Sequence, residues 1–181
     1  TRMPQDLCPG ACSSWNDGLT AAGDRLFFVS HLTRSHQLAV TDGTAAGTRI
    51  LLSTERNQPP QPIGEIQGRL AFLGPGSGQS PALWWSDGTP DGTSAALDLC
   101  STSLGCSGSW NLPLVVGDRI VFWVRPSEPG TEIWASDGTV GGTRKIGNTP
   151  LPSLVDTALW KGSLYFSTFD RLWQTDGTPE G

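Results

Sequence analysis

Positive charge is scarce in this chain. It has only two lysines, Lys145 and Lys161, among 12 basic residues against 17 acidic ones, for a net charge of −5. No basic cluster or stripe occurs, which argues against a nucleic-acid partner. No apolar run approaches the 18 residues that a membrane-spanning helix needs, so no transmembrane segment is expected. Helical periodicity is missing as well: no segment repeats apolar residues every three to four positions for long enough to make a helix. The nucleophile elbow, HExxH, P-loop and dinucleotide-binding glycine patterns are all lacking. Histidine is limited to His31 and His36, five apart and with no carboxylate nearby in sequence. That pair reads either as a metal or catalytic couple or as part of a solvated loop. No cofactor is expected.

Glycine and proline are abundant instead. The 23 glycines and 14 prolines exceed a fifth of the 181 residues. They fall at a fixed period, which separates this chain from a disordered Pro/Gly-rich one. The clock is an eight-residue turn. It runs Thr41-Asp42-Gly43-Thr44-Ala45-Ala46-Gly47-Thr48, then Ser86 to Thr93, then Ser136 to Thr143, then Thr175 to Gly181. The aspartates at 42, 87, 137 and 176 are 45, 50 and 39 residues apart, a spacing typical of propeller blades and repeat arrays.

A short β-forming stretch precedes each turn: Leu38-Ala39-Val40, Leu83-Trp84-Trp85, Ile133-Trp134-Ala135 and Leu172-Trp173-Gln174. Further upstream, Gly23, Gly68, Gly117 and Gly162 each introduce another strand, and a strand also precedes each of these glycines. With the strand after each Gly-Thr, this makes four strands per repeat, A to D. The expected fold is all-β: a propeller of four-stranded antiparallel blades forming a single domain over 1–181. The repeats run roughly 8–52, 53–99, 100–147 and 148–181 plus 1–7. Thr1 to Cys8 lines up with Thr93 to Cys100, so 1–7 is expected to supply the outer strand of the fourth blade and close a four-bladed ring. The alternative is half of a larger propeller.

Leu83-Trp84-Trp85-Ser86-Asp87-Gly88-Thr89, Ile133 to Thr139 and Leu172 to Thr178 resemble the bacterial ELWxxDGT repeat, with the Glu kept only at Glu132 and Ala39 in place of the first Trp. The resemblance implies a propeller-like fold and a secreted or cell-surface setting. It carries no activity.

The cysteines fall as two couples in alternating repeats. The simplest framework pairs Cys8 with Cys12 and Cys100 with Cys106 as disulfides, which fits an oxidising compartment; a Cys₄ zinc site is the rival, but neither couple is a CxxC knuckle. Asp42, Asp87, Asp137 and Asp176 are expected to serve the turns, accepting backbone amides beside a positive-φ glycine, rather than to bind calcium.

Variation between repeats concentrates in the B–C and D–A loops, which share one end of the blades. Arg34, His36, Arg56, Arg125 and Glu128 lie in that set, and Trp15 and Trp110 adjoin it, so these are the candidate binding residues. Asp17, Asn111 and Asp156 fall near the start of strand A and are candidates for the mouth of a central channel. The leading reading is a non-catalytic binding module for a protein or glycan partner, with self-association or a larger assembly possible. Its rivals are a glycan-active hydrolase or lyase using Asp17 and Asp156 as acid and base, and a purely structural subunit of an extracellular assembly.

Overall fold

The computed structural model describes residues 15–55, 57–76, 81–98, 109–125, 131–149, 156–168 and 171–181. Among these residues are fifteen strands and no helix. The strands group into two compact units, Thr1–Leu99 and Cys100–Gly181. In the first unit, β1 (Trp15–Ala22), β2 (Arg25–His31), β3 (Ser35–Thr41) and β4 (Arg49–Glu55) form one antiparallel meander. A second meander follows from β5 (Gln61–Ile66), β6 (Arg69–Pro75), β7 (Pro81–Ser86) and β8 (Thr93–Asp98). The second unit holds β9 (Ser109–Val116), β10 (Arg119–Arg125), β11 (Thr131–Ser136) and β12 (Arg144–Thr149). Its other sheet is β13 (Asp156–Trp160), β14 (Ser163–Ser167) and β15 (Leu172–Thr175). The four-strand pattern read from the repeats is thus present in three sheets, and the fourth has three strands among the described residues.

Two-residue hairpins join the first strand of each sheet to the second, and their chemistry alternates. Gln67-Gly68 and Lys161-Gly162 hold both residues at positive φ, at 52° and 77° and at 50° and 78°, the type I′ arrangement. In Gly23-Asp24 and Gly117-Asp118 only the glycine is left-handed, at 60° and 62°, which is the type II′ form. The period of the chain is therefore two sheets as well as one.

Packing repeats with the same period. In the first unit, Ala22, Phe27, Val29, Leu38 and Val40 bury against Leu70 and Phe72 of the second sheet, with Trp84 alongside. Successive residues of a strand point to opposite faces, yet Leu38, Ala39 and Val40, and likewise Leu70, Ala71 and Phe72, are all fully buried. The middle strands are covered on both sides. In the second unit, Phe166 lies edge-on to Trp123 at 5.5 Å and stacks with Trp173 at 6.2 Å, within a core that includes Val121, Ile133 and Leu164.

The repeated turn is a hydrogen-bond circuit, closed in its first three copies. In the first, Asp42 Oδ1 accepts from the Thr44 amide at 2.8 Å and from its hydroxyl at 2.7 Å. Thr44 Oγ1 accepts from the Gly47 amide, and the Thr48 hydroxyl donates to the Thr44 carbonyl. Thr41 Oγ1 meets Thr48 Oγ1 and accepts from the Gly43 amide. The same bonds recur around Asp87 and Asp137, and the Asp176 turn repeats its first half. Arginines of the preceding sheet then hold the next turn. Arg25 donates to the Asp87 carbonyl, and Arg49 Nη2 donates to the Gly88 carbonyl at 2.8 Å. In the second unit the Arg119 side chain lies against Gly177.

The hydroxyl bond from Thr44, followed by the Thr44 amide, holds the Asp42 carboxyl below its ordinary range, because donors to a carboxylate favour its charged form. Thr89 does the same for Asp87 and Thr178 for Asp176. At Asp137 burial pulls upward, and the Thr139 bonds with nearby Arg119 outweigh it. A carboxyl depressed in the folded state stabilises the fold above the unfolded value, and that contribution is lost as pH falls through the lower folded value. Thr44→Val is therefore expected to raise the Asp42 midpoint toward 3.8, the ordinary value. NMR titration of the Asp42 carboxyl checks this; an unmoved midpoint would contradict the hydroxyl's role.

Candidate functional site

The first sheet carries a row of side chains across all four of its strands. Trp15 of β1 pairs with His31 of β2, His31 pairs with His36 of β3, and His36 pairs with Thr54 of β4. Cross-strand partners share a face. The Leu32 amide donates to the Ser35 carbonyl at 2.9 Å, closing the connection from β2 to β3. The two histidines are thus the last and early residues of adjacent strands rather than members of a solvated loop, and they pair across the strands with their rings edge to face, 74° apart.

Asp17 stands two residues from Trp15, and its Oδ1 lies 2.8 Å from His31 Nε2. A carboxylate only accepts, so His31 Nε2 carries a hydrogen. On the other side of the ring, His31 Nδ1 meets His36 Nδ1 at 2.8 Å. That contact holds one proton: either His36 donates to a neutral His31, or an imidazolium His31 donates both ways. The His31 side chain is 12% exposed and that of Asp17 is 50% exposed. Trp15 lies flat on His31, with centroids 3.8 Å apart and planes 8° from parallel, and is itself 60% exposed. The outcome is an exposed indole stacked on an anchored imidazole.

A carboxylate–imidazole contact such as Asp17–His31 also occurs in nucleophilic triads, where the second imidazole nitrogen faces a nucleophile. The remaining imidazole nitrogen faces His36 instead of a hydroxyl or thiol, so the dyad is arranged for support. No group of three or more His, Cys, Asp or Glu side chains among the described residues is disposed to hold a metal ion.

Of the other candidates, Arg34 is exposed in the connection between β2 and β3. The same end of the second sheet holds a cavity of about 140 Å³ lined by Asn57, Gln58, Pro59, Gln61, Leu73, Gly74 and Pro81. In the second unit, Asp156 is exposed, accepts from the Thr157 amide at 2.8 Å and lines a hollow of about 150 Å³ with Tyr165 and Leu172. Trp110 and Asn111 lie on β9 and Arg125 ends β10, with only their backbone described. Arg56, Glu128, Cys8, Cys12, Cys100 and Cys106 lie outside the described residues.

The repeat tryptophans are occupied otherwise. The indole N–H of Trp84 donates to the Pro75 carbonyl, that of Trp134 to Glu132 and that of Trp173 to the Thr168 hydroxyl. Glu132 also pairs with Lys145 at 2.6 Å; that bond, ahead of the Trp134 contact, depresses its carboxyl. No helix among the described residues is long and apolar enough to cross a membrane.

No family model and no curated protein matches the sequence. Among solved structures, the chain is similar to the crystal structure of a puromycin hydrolase mutant complexed with PGG, at 12% identity over 92% of this chain and with a TM-score of 0.39. It spans 38% of that chain's length. A likeness at this level supports no statement about chemistry here.

Proposed function

We propose that this protein is a non-catalytic β-propeller binding module and that its contact surface is the loop-bearing end of the blades, centred on Trp15. The repeated antiparallel meanders, buried on both faces of their middle strands and each carrying the same Asp-Gly-Thr turn after its third strand, support the propeller reading. In that reading the segment 1–7, whose sequence parallels the outer strand β8, completes the fourth blade beside β15. The ELWxxDGT resemblance and the two cysteine couples support a secreted or cell-surface setting.

One observation carries the binding reading: an exposed Trp15 stacks flat on His31, which Asp17 and His36 anchor. A large aromatic at the surface usually folds down or samples several orientations. A side chain fixed before contact loses less entropy on binding, which is how affinity is gained from few contacts. The partner is a protein or a glycan, and Arg34 borders the same surface. The enzyme reading would place Asp17 in acid–base work, but Asp17 is engaged with His31.

Parallel glycan-array and pull-down screens of the wild-type chain and Trp15→Ala test this. Partners retained by the wild type and lost from Trp15→Ala are expected. Partners that persist in the combined absence of Trp15, Asp17 and Arg34 would move the function elsewhere. Polysaccharide turnover abolished by Asp156→Asn would favour the enzyme instead.

A further inference from the structure

We propose that the open face of Trp15 is a stacking platform for a single pyranose ring, so that the ligand of this surface is a glycan. This rests on the binding-module reading above and names its ligand class.

Trp15 has one face already taken, by the parallel imidazole of His31 at 3.8 Å. Its 60% exposure therefore belongs to the opposite face and the ring edge. A pyranose presents a matching surface, with a patch of C–H groups along one side of the ring and hydroxyls around the rim. The C–H patch lies on an indole's electron-rich face, and the hydroxyls need acceptors and donors at its edge. Asp17 supplies the acceptor. A carboxylate has about four lone-pair sites; His31 takes one, and the half-exposed side chain retains acceptor capacity beside the ring. Arg34, exposed in the connection between β2 and β3, carries a planar array of donors that would serve the rim of a sugar reaching across the sheet end.

The surroundings fit a sugar better than a protein. A stable protein partner buries on the order of 800 Å² per side around an apolar centre. Here Leu19 is the other large apolar side chain exposed on β1 to β3, and Asp17, Thr33 and Arg34 are polar and exposed. One fixed aromatic among hydrogen-bonding groups suits one sugar ring. His31 and His36 act here as positioning residues, Trp15 makes the stacking contact, and Asp17 does both, anchoring His31 and accepting from the sugar's hydroxyls.

The test is titration of the intact chain with hexasaccharides of β-linked glucose, N-acetylglucosamine and xylose, and separately with a lysine-rich peptide, followed by tryptophan fluorescence. At least one hexasaccharide is expected to bind. Trp15→Ala should weaken it on the order of tenfold or more, and Trp15→Phe by only a few-fold, because a smaller aromatic keeps the stacking surface. Trp15 is exposed, so a far-UV spectrum matching wild type is expected for both variants. Undiminished affinity in Trp15→Ala would overturn the platform. Binding of the peptide but of no hexasaccharide would overturn the glycan inference and leave the binding module standing. Silence with every probe, together with empty array and pull-down screens, would remove both.

Discussion

Phe72→Ala is expected to destabilise the first unit by about 3–5 kcal/mol, the cost of removing a fully buried aromatic from a close-packed core. Phe72 lies on β6 at 0% exposure, within one cluster that takes Ala22 from β1, Phe27 and Val29 from β2, and Leu38 and Val40 from β3. Its ring also leans on Trp84 at 5.8 Å. It therefore does more than fill its own sheet: it joins the second sheet to the first. Neighbours on two different sheets cannot collapse far without bending a meander, so the cavity should stay largely open and the cost should fall toward the upper end of that range. Urea unfolding followed by far-UV circular dichroism measures it. A loss under about 1 kcal/mol would mean that the two sheets do not depend on this contact.

Gly92→Ala is expected to cost about 2–4 kcal/mol, although the substitution adds one methyl group near the surface. The reason is steric. Gly92 is absent from the left-handed glycines, whereas Gly88 in the same turn has φ near +84°. A Cβ on Gly92 would stand 2.2 Å from Asp87 Oδ1, so the carboxylate that accepts both Thr89 donors must leave its place. The equivalent distances are 2.1 Å at Gly47 and 2.0 Å at Gly142, so Gly47→Ala and Gly142→Ala should behave alike. The cause can be isolated with a double-mutant cycle. In an Asp87→Ala background the new methyl meets no carboxylate, and Gly92→Ala should lose most of its cost. Equal costs in both backgrounds would place the strain in the backbone instead.

These turns show what a sequence displays and what it hides. Asp, Gly and Thr recurring in one pattern mark the end of the third strand of each sheet, because only a few residue types fit a tight turn, and the all-β meanders follow from that clock. The second glycine of each turn is equally regular, yet its purpose is invisible without coordinates: it makes room for a side chain five residues earlier. The alternation of hairpin chemistry, Gly-Asp against Gln-Gly and Lys-Gly, is written in the residues as well, once the repeat is taken two sheets at a time.

The surface cluster was far less legible. Trp15 stands out as an aromatic beside a variable loop, but Asp17 and His31 are fourteen residues apart. Their contact depends on a register shift between Asp17 and Thr20, where Gly18 adopts φ near +62°. A bulge of this kind re-aims the residues before it: the Gly23-Asp24 hairpin sets the pairing of β1 with β2 near the turn, and the shift at Gly18 then carries Asp17 and Trp15 off that register. His31 and His36 did carry a signal. Four residues separate them, the length of a hairpin connection, so they could have been read as the pair that flanks it.

Trp15 is the tryptophan expected to meet a ligand. The chain has eight tryptophans, and labelling their indole nitrogens with ¹⁵N gives each its own resonance, that of Trp15 being assigned by its disappearance in Trp15→Phe. On titration with the hexasaccharides, the Trp15 signal should move progressively and saturably. Those of Trp84, Trp134 and Trp173, whose N–H groups are tied to Pro75, Glu132 and Thr168, should stay where they are. A still Trp15 signal alongside a moving one from the repeat positions would contradict the account and shift the site into the body of the blades.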